Sequence, residues 1–86
     1  MAHHKSAKKR IRQTLKRTEM NKVRKTKTRN AVKSLRLAIT ENKKEEAQAL
    51  LTKAQAHLAK LAKHGVIKPN TAARRTSRLA HQVGQL

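Results

Sequence analysis

Apolar side chains recur at helical spacing in three stretches of the chain. The clearest stripe is made of Ala and Leu: Ala47, Leu50, Leu51, Ala54, Leu58, Leu61 and Ala62. A stripe that returns every three or four residues predicts an amphipathic helix with one face in a core. Gly65 follows the last apolar position and is typical of the glycine that ends a helix in the left-handed conformation. We therefore predict a helix over residues 43–64.

The residues before this helix carry the signals of a helix start. Asn42, with Glu45 three positions later, resembles a capping box, in which side chains bind free backbone N–H groups. Glu41, Glu45 and Glu46 also lie where negative charge complements the positive end of the helix dipole. Three of the four acids are thereby assigned to helix stabilisation rather than to catalysis.

A longer helix is predicted before this point. No Gly or Pro interrupts residues 5–36, and Ser6 is a plausible N-cap that would leave Met1–Lys5 as a loose tail. The second half of the segment has a core-facing stripe: Ala31, Val32, Leu35, Ala38 and Ile39. We predict the first helix over residues 7–40.

A third helix is predicted after the segment GVIKPN. Pro69 in a first turn and Asn70 as a cap mark its start, and we place the helix over residues 71–83. Its expected inner face is Ala72, Leu79, Ala80 and Val83. Val66 and Ile67 are expected to plug one end of the core.

The short connections predict that neighbouring helices run antiparallel. The predicted fold is therefore all-α, an antiparallel three-helix bundle with a long, protruding N-terminal helix. The 86 residues are expected to form a single domain, residues 1–86.

The first half of helix one differs from the rest because its charges point in nearly all directions. Its basic residues are Lys8, Lys9, Arg10, Arg12, Lys16, Arg17, Lys22, Arg24, Lys25, Lys27 and Arg29. A helix that is polar on all sides does not pack on its own domain. We predict that this half projects beyond the bundle into a partner of opposite charge.

The net charge of +19 indicates which partner that is. Clustered Lys and Arg in a small domain are typical of nucleic-acid binding. The chain has no Phe, Tyr or Trp, which excludes modules that stack bases on aromatic rings. Binding is expected through phosphates, 2′-hydroxyls and shape, with Arg74, Arg75 and Arg78 as a second contact site.

Catalytic and metal chemistry is not expected. The chain has no Asp, Cys or Tyr, its two glycines cannot form a phosphate loop, and its four Glu have no partnered His. His3, His4, His57 and His64 lack further ligands, so neither a metal nor a cofactor is predicted. No apolar run approaches the ~20 residues of a membrane span, and the charged half of helix one lacks the wide apolar face that a membrane-surface helix needs.

Two motifs give the sequence a family resemblance. Lys5–Arg10 reads KSAKKR, and Gly65–Arg75 reads GVIKPNTAARR, followed by Ser77, Arg78, Leu79 and Ala80. Together they resemble the S-twenty family of bacterial small-subunit ribosomal proteins, and the resemblance covers almost the whole chain. It implies a three-helix bundle with an extended first helix.

The resemblance also implies a partner and a role. Family members are cytoplasmic constituents of the ribosome that bind the small-subunit (16S) ribosomal RNA directly and stabilise its folding during assembly. They touch its 5′ domain and the long helix near its 3′ end. The implied contact residues are Lys5, Ser6, Lys8, Lys9, Arg10, Arg12, Lys16, Arg17, Arg24, Arg29, Asn70, Thr71, Arg74, Arg75 and Arg78. Neighbouring basic residues complete the expected set: Lys22, Lys25, Lys27 and Lys68.

Charge by itself leaves one other function open. A histone-like protein that binds duplex DNA without sequence preference has the same basic character. Such a protein has no need of two separate basic faces at a defined geometry. Competition between ribosomal RNA and duplex DNA separates the two functions.

Overall fold

A computed structural model of the protein describes residues 2–86, with side chains from Ser6 onward. The chain forms three helices, α1 (Ala2–Thr40), α2 (Lys44–Lys63) and α3 (Pro69–Gly84), and residues 2–86 contain no strand. They pack as the predicted antiparallel bundle with a protruding first helix. The 39 residues of α1 span ~58 Å at 1.5 Å per residue, which accounts for most of the 63 Å length of the molecule.

The core lies along α2, which packs against both other helices. Leu35 of α1 and Leu58 of α2 are completely buried, as are Ala47 and Ala54. Small alanine side chains at these positions let the helix backbones approach closely. The predicted stripes of α1 and α2 are confirmed as the buried or half-buried faces. Val66 and Ile67 are both half-buried, and Ile67 packs against the core.

Two positions of the core differ from the prediction. Ala80 is exposed. The face of α3 that packs in the bundle is formed instead by Ala72, half-buried Thr76, Leu79 and Val83. On α1 the buried face begins one turn earlier than the apolar stripe, at Thr28, which is only 5% exposed. The Thr28 hydroxyl donates a hydrogen bond to the Arg24 carbonyl (2.9 Å), so its burial leaves no unpaired polar group.

Helix α1 begins earlier than predicted. Its first residue is Ala2, so residues 2–5 are helical rather than a loose tail, and Ser6 lies inside the helix instead of capping it. Ala, Lys and Arg are strong helix formers, and nothing in this stretch breaks the ladder of backbone hydrogen bonds. Met1 and the side chain of Lys5 lie outside the described residues.

The capping box predicted at Asn42 is wrong. Asn42 has φ +61°, and the N-cap of α2 is Lys43, which makes no capping hydrogen bond through its side chain. Asn42 instead ends α1: its N–H donates to the Ile39 carbonyl (3.0 Å), and the Lys43 N–H donates to the Ala38 carbonyl (3.0 Å). This pair of bonds is a Schellman motif.

Helix α2 ends in the same way. Gly65 has φ +72°, its N–H donates to the Ala62 carbonyl (3.1 Å), and the Val66 N–H donates to the Leu61 carbonyl (2.9 Å). The predicted role of Gly65 is confirmed. After Gly, Asn is among the residues that most readily adopt the left-handed conformation. Asn42 can therefore end α1 in the way that Gly65 ends α2.

Helix α3 begins at Pro69 rather than at residue 71. Its N-cap is Lys68, in an extended conformation with no capping bond from its side chain, so Asn70 lies within the first turn and is not the cap. Pro69 suits the first position because its fixed φ is helical and its missing N–H would have had no helical acceptor.

The turn between α1 and α2 holds the ion pairs of the described side chains. The Lys43 ammonium lies 2.9 Å from a Glu41 carboxylate oxygen and 3.8 Å from one of Glu46. The hydrogen bond to Glu41 and the nearby negative charge raise the pKa of Lys43. Negative charge is thus concentrated at the end of the bundle opposite the protruding half of α1.

Truncation of the central leucine of α2 should destabilise the bundle strongly. We expect Leu58→Ala to lower the free energy of unfolding by about 2–5 kcal/mol, because it opens a cavity at a fully buried site. Leu37→Ala is the matched control, since Leu37 is 60% exposed and its truncation should cost within about 0.5 kcal/mol. Urea unfolding followed by circular dichroism measures both; equal effects would contradict the described core.

Gly65 should be required at the end of α2 because of its positive φ, and not because a larger side chain would clash there. A Cβ at Gly65 would meet no atom within 4 Å, but φ +72° is unfavourable for alanine, so Gly65→Ala should cost about 1 kcal/mol. Gly84 is equally open and has no such φ, so Gly84→Ala should be neutral or stabilising by up to about 1 kcal/mol. A Gly65→Ala protein as stable as wild type in the same unfolding assay would refute this explanation.

Candidate nucleic-acid interface

A groove runs between α1 and α3 on one side of the bundle. It forms because α2 packs against both helices whereas α1 and α3 scarcely touch each other. The groove is open to solvent and has a volume of about 870 Å³. Its lining residues are Lys25, Thr28, Arg29, Val32, Lys33, Arg36, Leu61, Ile67, Arg75, Arg78, Leu79 and Gln82. We refer to it as the basic groove.

The charge of the basic groove has one sign. Six of its lining residues are Lys or Arg, and none of the described lining residues is acidic. Helix α1 contributes Lys25, Arg29, Lys33 and Arg36, which follow one another at spacings of three or four and share a face. Arg75 and Arg78 approach from α3. Like charges gathered in one groove repel each other, and an anion between them relieves that repulsion.

Part of the groove lining is apolar. Val32, Leu61, Ile67 and Leu79 contribute to its lining, and Leu79 is only 5% exposed. Apolar walls lower the dielectric on the protein side of the groove, which strengthens the attraction between the flanking cations and a bound anion. The arrangement suits a chain of phosphates with cations on both sides.

The tertiary structure brings together residues that the sequence places far apart. Lys25 and Arg29 belong to the first predicted basic region, and Arg75 and Arg78 to the second. All four line the same groove. The two predicted regions therefore meet in a single surface.

Sequence reasoning missed two residues of this surface. Lys33 and Arg36 lie in the half of α1 that packs in the bundle, where the apolar stripe indicates only that they face away from the core. A signal was available, because they continue the face of Lys25 and Arg29 at helical spacing.

Other predicted contact residues lie outside the groove. Arg74 is exposed and absent from the lining, because successive helical residues are turned by about 100° and it faces a different direction from Arg75. Lys68 and Asn70 are exposed and Thr71 is half-buried, and none of the three is a lining residue.

Seven of the predicted residues lie on the protruding part of α1. Every side chain from Ser6 to Met20, which we call the projecting half, is exposed. It carries Ser6, Lys8, Lys9, Arg10, Arg12, Lys16 and Arg17. A shallower depression of about 640 Å³ lies along one side of it, lined by Lys8, Lys9, Arg12, Gln13 and Lys16.

Three predicted residues lie where the projecting half meets the bundle. Lys22 and Lys27 are exposed, whereas Arg24 is half-buried. An Arg24 Nη1–H donates to Oδ1 of half-buried Asn21 (3.1 Å). This hydrogen bond restrains the guanidinium beside the bundle, so Arg24 is less available to a partner than its neighbours.

The described residues show neither a metal-binding cluster nor a helix suited to cross a membrane. Among the described residues, no three His, Cys, Asp or Glu side chains lie close enough to hold a metal ion. None of the described helices combines the length and the hydropathy that crossing a bilayer requires.

Comparison with known proteins identifies the family. The profile of the family described as Ribosomal protein S20 matches residues 2–84. The chain is 50% identical over 86 residues to the small ribosomal subunit protein bS20 of Paramagnetospirillum magneticum, an alignment that covers 100% of this chain and 96% of that protein.

Two further relatives show the same similarity. The chain is 49% identical over 86 residues to bS20 of Helicobacter acinonychis, which covers 100% of this chain and 97% of that protein. It is 49% identical over 83 residues to bS20 of Oleidesulfovibrio alaskensis, which covers 96% and 95% respectively. The resemblance carried by the two sequence motifs is therefore confirmed, and the chain belongs to the ribosomal protein S20 family.

Proposed function

We propose that this protein is a structural constituent of the small ribosomal subunit that binds its 16S ribosomal RNA and stabilises the folding of that RNA during assembly. The observation that carries the proposal is the basic groove, where six cations from two helices line one open surface together with apolar side chains. The names of the relatives, small ribosomal subunit protein bS20, support the same role. The protein then resides in the ribosome of the cytoplasm.

Binding operates by charge neutralisation and shape. Lys and Arg displace the counterions condensed on the RNA backbone, and the Arg guanidinium can contact phosphate oxygens in a bidentate manner. With no aromatic residue in the chain, base stacking on aromatic rings contributes nothing. Recognition therefore depends on where the RNA fold places its phosphates and riboses.

The proposed arrangement has two contact regions joined by one helix. The projecting half of α1 contacts one RNA element, and the basic groove contacts another. Because α1 is continuous over 39 residues, the two elements are kept at a set spacing and orientation. The 5′ domain and the long helix near the 3′ end of the RNA, implied by the family resemblance, are the proposed elements.

No chemical step belongs to this function. The sequence lacks Asp, Cys and Tyr, and the groove is lined by cations and apolar groups rather than by an acid–base pair. We propose that the protein is not an enzyme and needs neither a cofactor nor a small-molecule substrate. No feature of the described fold favours the histone-like alternative over RNA.

Cations in the groove should contribute more to RNA binding than cations elsewhere. We expect Lys33→Gln with Arg36→Gln to weaken binding to a small-subunit ribosomal RNA fragment by about tenfold or more. The dependence of log K on log salt should become shallower by roughly 1.4–1.8, since each phosphate that is no longer neutralised lowers the slope by ~0.7–0.9. Filter binding at several salt concentrations measures both quantities.

The matched control removes the same charge from another surface. Lys53 and Lys60 are exposed on α2 and do not line the groove. The variant Lys53→Gln with Lys60→Gln should therefore bind more tightly than the groove variant. Equal losses of affinity for the two variants would mean that net charge alone determines binding, and the groove would have no special role.

The wild-type protein should bind ribosomal RNA in a strongly salt-dependent and selective way. If ~6–10 phosphates are neutralised, affinity should fall about 10³–10⁵-fold between 50 and 200 mM salt. An excess of random duplex DNA should not displace the ribosomal RNA fragment across this range of salt. Efficient displacement by DNA would instead support the histone-like alternative.

A further inference from the structure

One face of the projecting half of α1 is apolar although the helix around it is cationic. Ile11 and Leu15 are 60% and 61% exposed, and they lie one turn apart on the same face. Ala7, four residues before Ile11, and Thr18, three residues after Leu15, extend this face in both directions. The two branched side chains therefore form an exposed apolar pair within a segment that is otherwise highly charged.

The threonines strengthen the apolar character of this face. The Thr14 hydroxyl donates to the Arg10 carbonyl (2.8 Å), and the Thr18 hydroxyl donates to the Thr14 carbonyl (2.8 Å). Each hydroxyl proton is therefore satisfied within the helix, and the methyl groups add to the apolar surface. We call the face formed by Ala7, Ile11, Thr14, Leu15 and Thr18 the apolar strip.

Cations flank the apolar strip on both sides. At 100° per residue, Arg10 and Arg17 are turned about 80–100° from the middle of the strip in one direction. Lys8 and Arg12 are turned by about 80–120° in the other direction. All four side chains are exposed. The section through the helix is thus an apolar ridge with positive charge on either side. Glu19 is the one acid on these flanks, and it lies at the end of the row of Lys8 and Arg12 that is nearer the bundle.

We propose that the apolar strip docks in the minor groove of an RNA duplex. The minor groove of A-form RNA is wide and shallow, and it presents base edges and riboses with their 2′-hydroxyls between two phosphate backbones. The carbon-bound hydrogens of those riboses are the part of this surface that an apolar ridge can contact. A helix about 10–12 Å wide matches such a surface, and its two cationic rows reach the two backbones. The inference rests on the proposed function and specifies which RNA surface meets this half of α1.

Charge complementarity favours duplex RNA over other occupants. A second copy of the chain, with its net charge of +19, would place like charges against each other. A single strand would require aromatic side chains for stacking, and the chain has none. The deep, narrow major groove of duplex RNA does not admit side chains.

The apolar strip also continues into the basic groove. After Thr18 the same face carries Lys22, and then Lys25 and Arg29, which line the groove. A single face of α1 therefore leads from ribose contacts at the projecting end to phosphate contacts in the bundle.

Polar substitution of the strip tests the proposal without any change in charge. We expect Ile11→Gln with Leu15→Gln to bind a protein-free small-subunit ribosomal RNA fragment about tenfold more weakly, with an unchanged salt slope. Hydroxyl-radical footprinting should show that riboses at one duplex are no longer protected, while protection elsewhere persists. Helicity should be retained because Gln is a good helix former and both sites are exposed.

Two further variants control for general effects on the helix. Met20→Gln with Val23→Gln replaces two residues that are 53% and 52% exposed on other faces of α1, and should bind within about twofold of wild type. Ile11→Leu with Leu15→Met keeps the strip apolar and should also bind like wild type. A loss of binding in this conservative variant would overturn the proposal.

The remaining outcomes separate this inference from the proposed function. If wild type binds the RNA but Ile11→Gln with Leu15→Gln binds equally well, the strip does not contact RNA. If binding is lost only when other ribosomal proteins are present, the occupant is a protein; if sedimentation shows a self-association that the variant abolishes, it is a second copy. Failure of wild type to bind ribosomal RNA would overturn the proposed function together with this inference.

Discussion

The architecture depends on the packing of one apolar face of α2 between α1 and α3. Leu58 and Ala54 are fully buried there, and α2 contacts both of the other helices. Because α2 lies between them, α1 and α3 do not close against each other, and the basic groove is the space that remains. Helix α2 contributes to the core and also keeps α1 and α3 apart, so that the basic groove forms between them. Its own contribution to the groove lining is Leu61.

The distribution of charge follows from the same packing. Twenty-three basic residues must be kept away from a small core and, as far as the fold allows, from one another. Glu41 and Glu46 pair with Lys43 at the turn between α1 and α2. Before residue 41 the only acidic residue in the sequence is Glu19. The projecting half and the basic groove consequently keep almost all their positive charge, which strengthens their attraction for a polyanion.

Helix α1 serves two environments without a break in its backbone. Its second half buries Leu35 and Ala38 against the bundle, whereas residues 6–20 are exposed on every side. The face that carries Ile11 and Leu15 near the free end carries Lys25 and Arg29 in the groove. A rigid helix with different chemistry along one face can contact riboses and phosphates at separate places and maintain the distance between them.

Sequence alone determined the three helices and the core stripes of α1 and α2, because helical periodicity and glycine preference are local properties. Its two motifs also indicated the family. The predicted starts of α1 and α3 were too late. Asn42 was assigned to a helix cap because the sequence pattern of an Asn near a helix start fits both a cap and a left-handed turn. Only the tertiary structure decided that Arg75 faces Arg29 across a groove while Arg74 does not, and that Lys33 belongs with them. Those relations depend on how helices distant in sequence are oriented against α2, and no local pattern specifies that orientation.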